Sequence, residues 1–183
     1  MQGRCCEKWH TAERYVRAYL DTNIVMAIAK DDYPEESEAL DKLLELSDGG
    51  EVEIVASELT RREIEPYKGE QSKNIQRVYR LLGKVNFLEN HRLLGFHSQW
   101  DRYGGVSYPL IEDNPISSAL RQMGLERNDA HHLMLAIRAE CEAFLTCDEK
   151  TILSRRATIE DRFPIKVMKP SELLLQLTYY REH

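Results

Sequence analysis

Short apolar runs along this chain end in turn residues and give way to segments where apolar positions recur every three or four residues. The first run, VRAYL from Val16 to Leu20, suits a strand buried on both faces of a parallel sheet, and Asp21-Thr22-Asn23 behind it is a turn or helix-cap sequence opening a helix to Ala29. Pro34 and the acids after it fit the first turn of a second helix, EESEALDKLLELS, with Leu40, Leu43, Leu44 and Leu46 as its buried stripe and Gly49-Gly50 as its stop. EVEIVAS reads as the next strand, followed by a Ser57-capped helix through Ile64 that Pro66 halts. Ile75, Val78, Leu81 and Leu82 mark an amphipathic helix between Gln71 and Val85. Asn86 to Asn114 carries little periodicity and reads as a long, partly structured connection.

The second half repeats the alternation. Asn114-Pro115 opens the helix ISSALRQMG, closed by Gly124, and NDAHHLMLAIRAE forms a helix with a broad apolar face and Asn128 or Asp129 at its entry. AFLTC (Ala143 to Cys147) is a strand ending at Asp148, EKTILSRR continues as a short helix, PIKVMK is a last strand, and PSELLLQLTYY a last helix. Strands interleaved with helices imply an α/β fold, a three-layer α/β/α arrangement with a central parallel sheet.

Length and charge narrow the picture. The 183 residues suit one domain, expected over residues 14–183 behind a flexible leader of residues 1–13. With 31 acids against 25 bases the formal charge is −6, which argues against a general nucleic-acid or membrane-surface binder. The distribution is uneven, however: ten acids face only Lys42 between Asp31 and Glu53, whereas eight bases stand against four acids between Arg61 and Arg92. Cys5, Cys6, Cys141 and Cys147 make no C-x-x-C pair and read as reduced thiols. No apolar run is long enough to cross a bilayer and the start lacks the apolar core of a signal peptide, so a cytoplasmic location is expected.

Four acids occupy equivalent places: Asp21 and Asp148 just past strands, Glu63 and Asp129 within the first turns of helices that follow. Taken alone, Asp21 reads first as a helix cap. Together the four matter more, because in a parallel α/β sheet strand ends and helix starts share one edge, and carboxylates gathered there must take up protons or bind cations. An oxygen-rich cluster of this kind suits Mg2+ or Mn2+.

YLDTNIVM, the serine-to-acid stretch from Ser57 to Glu63, NDAHHLMLAI and FLTCDEK resemble, in content and order, the PIN-domain nucleases, over Tyr19 to Lys150. The resemblance implies a compact α/β ribonuclease in which Asp21, Glu63, Asp129 and Asp148 hold Mg2+ or Mn2+ as catalytic and metal-binding acids, with Asn23 and Thr146 as accompanying polar residues. It implies metal-assisted hydrolysis of RNA phosphodiester bonds by an endoribonuclease, either the toxin of a toxin–antitoxin pair or an RNA-processing enzyme. The expected partners are an RNA substrate and a cognate antitoxin protein, a homodimer is compatible with it, and no membrane is involved. Relative to compact members, the chain carries an added helix and loop around residues 68–114.

Several residues keep two readings. Glu58 is the alternative to Glu63 as second acid; five residues apart on a helix, they point about 140° apart, so only one faces the cleft. Arg61, Arg62, Lys73 and Arg77 would contact the RNA backbone or form a solvated face. His131 and His132 diverge by about 100° on their helix, so one is expected to pack and the other to meet solvent. Trp100, Tyr103 and Tyr108 would stack on bases or pin their loop, and Tyr179 and Tyr180 are expected in core or edge packing. Two other functions compete: a catalytically weak or inactive PIN-like module binding RNA or protein, and a haloacid-dehalogenase-type phosphoryl-transfer enzyme, which would want an acid where Asn23 stands.

Overall fold

The computed structural model of the chain describes residues 15–64, 73–88 and 114–182. The leader and most of the 68–114 segment, with Trp100, Tyr103 and Tyr108, lie outside the described residues. Five strands, β1 (Val16–Leu20), β2 (Val52–Ala56), β3 (Asn86–Phe87), β4 (Ala143–Leu145) and β5 (Lys166–Met168), form one sheet in the order β3-β2-β1-β4-β5. Every pairing is parallel, with Ala18 opposite Ile54 on one side and Ala143 on the other. The helices are α1 (Thr22–Lys30), α2 (Pro34–Asp48), α3 (Glu58–Ile64), α4 (Lys73–Lys84), α5 (Pro115–Gln122), α6 (Arg127–Arg138), α7 (Arg156–Arg162) and α8 (Pro170–Glu182).

The period of two along each strand divides the apolar residues between two cores. Ala18, Leu20, Ile54, Ala143 and Leu145 face one side, where Ile24, Leu40, Leu43, Val78 and Leu173 bring α1, α2, α4 and α8 against the sheet. Tyr19, Val55, Phe144 and Val167 face the other, meeting Leu120, Leu133, Met134 and Ile159 of α5, α6 and α7. Helices on both faces of a parallel sheet make the three layers. A fully buried Leu or Ile side chain contributes roughly 1.5–3 kcal/mol, against about 1 kcal/mol or less for an exposed ion pair such as Lys84–Asp48. Apolar packing therefore sets where the helices lie.

The strand order also fixes where a site can form. From β1 the chain moves to β2 and β3 through helices on one face, then returns to β4 and β5 with its helices on the other. The direction of winding reverses at β1, so a crevice opens between the carboxyl ends of β1 and β4.

Four expectations from sequence need correction. Asn86 and Phe87 are a strand rather than the start of a loop, because Val55 and Ala56 offer a free edge and the Leu88 amide donates to the Ala56 carbonyl at 2.8 Å. EKTILSRR does not start as a helix: turns occupy Glu149 to Ile152 and a 3-10 segment spans Leu153–Arg155 before α7. The α6 helix begins before Asn128, with Glu126 in extended backbone at its cap position. Tyr179 and Tyr180 are not core residues: they are 59% and 71% exposed and meet each other edge-to-face at 6.0 Å.

Candidate functional site at the carboxyl edge of the sheet

Asp21 ends the central strand. Its backbone N–H donates to the Leu145 carbonyl at 3.1 Å, extending the β1–β4 pairing by one residue and setting Asp21 beside Thr146. It occupies the cap position of α1 without a side-chain cap bond to that helix. Instead Thr146 Oγ1 donates to Asp21 Oδ2 at 2.8 Å, and the same oxygen accepts the Asp148 amide at 3.1 Å. One buried hydroxyl thus ties the acid after β1 to the backbone of the acid after β4. Burial pushes the Asp21 carboxyl above the ordinary aspartate range, against the opposing pull of His132, the Thr146 hydroxyl and the Asn23 amide.

Glu63 reaches the same edge from the last turn of α3, not from its first as expected from sequence, because that helix already begins at Glu58. Its Oε2 lies 3.0 Å from His132 Nε2, and its Oε1 accepts the Asn128 amide at 3.1 Å. Glu58 instead pairs with Arg61 at 3.3 Å on the exposed side of the helix. Between the two glutamates, the structure brings Glu63 to α6 and leaves Glu58 away from it. Burial raises the Glu63 carboxyl, but hydrogen bonds from His132, Thr22 and Asn128 outweigh it, leaving the group below the usual glutamate range.

Of the two histidines, one expected to pack and the other to meet solvent, His132 is the one that the fold buries. It is buried, with Nδ1 2.8 Å from the Tyr19 hydroxyl, which in turn lies 2.7 Å from Ser57 Oγ. An ionised Glu63 can only accept, so His132 Nε2 donates to it, and the Tyr19 hydroxyl donates to Ser57 Oγ. A buried chain thus runs from Ser57 through Tyr19 and His132 to Glu63. One signal was present in the sequence: residues three apart share a helix face, and His132 is three beyond Asp129. His131 is half-buried, and burial together with Arg127 lowers its pKa.

Asp129 sits in the first turn of α6. Burial and the nearby charges of Asp21 and Asp148 push its carboxyl up to about 6. The three aspartates therefore feel one another although they come from three elements. Asp148 also organises the turn that follows it: Oδ1 accepts the amides of Lys150 at 3.0 Å and Thr151 at 2.9 Å, and Oδ2 accepts the Thr151 hydroxyl. Its place after β4 serves the local backbone as well as the cluster.

The donors here are carboxylate, hydroxyl and amide oxygens, the chemistry a hard cation prefers, and no lysine or arginine pairs with Asp21 or Asp129 among the described residues. Spacing is the opposing consideration. Among the described residues no three His, Cys, Asp or Glu side chains stand close enough to enclose an ion by themselves.

The basic residues divide. Arg77 pairs with Asp41 and Lys84 with Asp48, so the basic side of α4 meets the acidic side of α2. Arg61 lies over the Phe87 ring at 4.1 Å. Arg62 is exposed without a partner among the described residues, and the Lys73 side chain lies outside them. Beyond Asp148, a cavity of about 290 Å³ separates the last turn of α1 from the Cys147–Lys150 turn. Among the described residues no helix is long and apolar enough to cross a membrane.

Compared with known protein families, with curated proteins and with solved structures, the chain gives no match.

Proposed function

We propose that this protein is a metal-dependent endoribonuclease of the PIN type. One observation carries the reading: Asp21, Asp129 and Asp148 act on one another at the switch point of a parallel sheet, with Asp129 pushed up to about 6, and no lysine or arginine offsets Asp21 or Asp129 among the described residues. Mutual repulsion of that kind is what a divalent cation relieves. Asp21, Asp129 and Asp148 would hold Mg2+ or Mn2+, directly or through water, and the ion would supply charge for the phosphoryl oxygens and a water made more acidic. Glu63, kept ionised and oriented by His132 and Asn128, would accept a proton from the attacking water. Thr146 would fix the Asp21 rotamer by donating to Oδ2. The reading includes the resemblance of YLDTNIVM, NDAHHLMLAI and FLTCDEK to that family.

The test is cleavage of a mixed pool of single-stranded RNA by the purified chain with Mn2+ and with EDTA. Cleavage should require the metal and fall at least about a hundredfold in Asp129→Asn with the circular dichroism spectrum unchanged. Absence of cleavage, together with a melting temperature indifferent to Mn2+, would overturn it.

The wide spacing of the carboxylates favours a second reading, a PIN-like module that binds RNA or protein without turnover. RNA retention equal in Mn2+ and EDTA, with no products, is its signature.

A further inference from the structure

We infer that the cavity beside Asp148 takes one unpaired ribonucleotide of the substrate, its base against Tyr33 and its phosphate between Lys30 and Lys150. The inference rests on the nuclease reading, since Asp148 is the wall this cavity shares with the acidic cluster. Its volume, about 290 Å³, is at the small end of ligand pockets and holds one nucleotide, not a helix. Tyr33 stands just before Pro34 at the entry to α2, 40% exposed and outside both cores. An exposed aromatic at a pocket wall is the surface on which an unstacked base is held in single-strand recognition.

The cations support the same occupant. Lys84, Lys166 and Lys169 stand in ion pairs with Asp48, Glu160 and Glu149, and Lys42 is exposed on α2 away from the cavity lining. Lys30 and Lys150 have no carboxylate partner among the described residues, yet both line the cavity. Three acids also line it. Glu149 pairs with Lys169, and Asp148 keeps its charge on the wall shared with the acidic cluster while accepting Thr151 and two amides. Asp32 can only accept hydrogen bonds, which suits an amino group on a base edge, and Asn23 can both donate and accept. The carboxyl end of α1 also faces this region, but it carries only about half a negative charge and its last carbonyls already accept the Asp31 and Asp32 amides. A base still stacked in a duplex cannot enter, so the site selects unpaired RNA.

The experiment is fluorescence anisotropy of a labelled eight-nucleotide single-stranded RNA, titrated with the full chain in EDTA so that no cleavage occurs. Tyr33→Ala and Tyr33→Leu should each weaken binding about tenfold while Tyr33→Phe binds like wild type. Lys30→Glu with Lys150→Glu should weaken it at least tenfold and flatten the dependence on salt. A blunt duplex of the same sequence should bind no better than the Tyr33→Ala protein binds the single strand. Variants within twofold of wild type, a duplex bound as tightly as the single strand, or no binding by wild type would each overturn the subsite. The two readings fail separately: binding that follows Tyr33 without Mn2+-dependent cleavage removes the nuclease and keeps the pocket, whereas cleavage with kcat/KM unchanged in Tyr33→Ala removes the pocket alone.

Discussion

Asp129 is held at a cost to the fold. Its carboxyl titrates near 6 in the native protein, against an ordinary value near 3.8 when unfolded. Between those values the native state binds the extra proton, so stability falls as pH rises through this window and the penalty is complete above about pH 7. Asp129→Asn should therefore melt higher than wild type at pH 7 without metal, by about 2–4 °C once the partial exposure of the group is discounted. The gap should narrow below pH 6 and close near pH 4, which thermal melts across pH will show. A variant that melts lower than wild type at pH 7 would mean the three aspartates do not repel. Tyr19 lies on the other side of this balance. Tyr19→Phe leaves His132 Nδ1 and Ser57 Oγ each short of a buried partner, so it should cost about 1–3 kcal/mol in urea unfolding.

Among elements, the last helix takes its cap from a distant one. Glu36 of α2 accepts both the amide and the hydroxyl of Ser171, each at 2.9 Å, at the start of α8. The pair is part-buried, whereas the Arg156–Glu172 ion pair near the same helix start is more exposed and worth about 1 kcal/mol or less. Glu36→Ala should therefore destabilise by about 1–2 kcal/mol and Arg156→Ala by less, as urea midpoints will report. The same comparison shows what was hidden at this scale. Helix α8 was legible from its apolar spacing, but its cap was not, because Glu36 and Ser171 are 135 residues apart. The strand β3 was equally hidden: Asn86 and Phe87 have no strand pattern of their own and are ordered by the edge that β2 presents. The turn after β4 was misread because Ile152 and Leu153 are spaced as if helical, while Asp148 draws in the Lys150 and Thr151 amides and delays the helix.

For the whole molecule, the sheet shelters the two thiols of the described residues. Cys141 and Cys147 are both buried, and burial pushes each thiol up to about 12, so almost none is thiolate at pH 8. Alkylation at pH 8 followed by peptide mass mapping should leave both unmodified in the folded protein and label both in urea. Labelling of Cys147 in native protein would show that the β4–β5 edge opens readily. The electrostatic layout belongs to this scale too. The basic stretch read from the sequence is largely spent within the fold, since Arg77 and Lys84 meet the acidic α2, whereas Lys30 and Lys150 line the cavity beside Asp148.

The sequence by itself determined the alternation of strand and helix, hence the parallel sheet, and it put Asp21, Asp129 and Asp148 at one edge, because strand ends and helix starts of such a sheet share that edge whatever the details. Tertiary structure alone decided the rest. Which glutamate turns inward, that His132 carries Glu63, and which lysines remain unpaired all depend on side chains far apart in the chain meeting across packed elements. Hydrophobic spacing records which face of an element is buried, but it holds no information about which polar group waits on the other side.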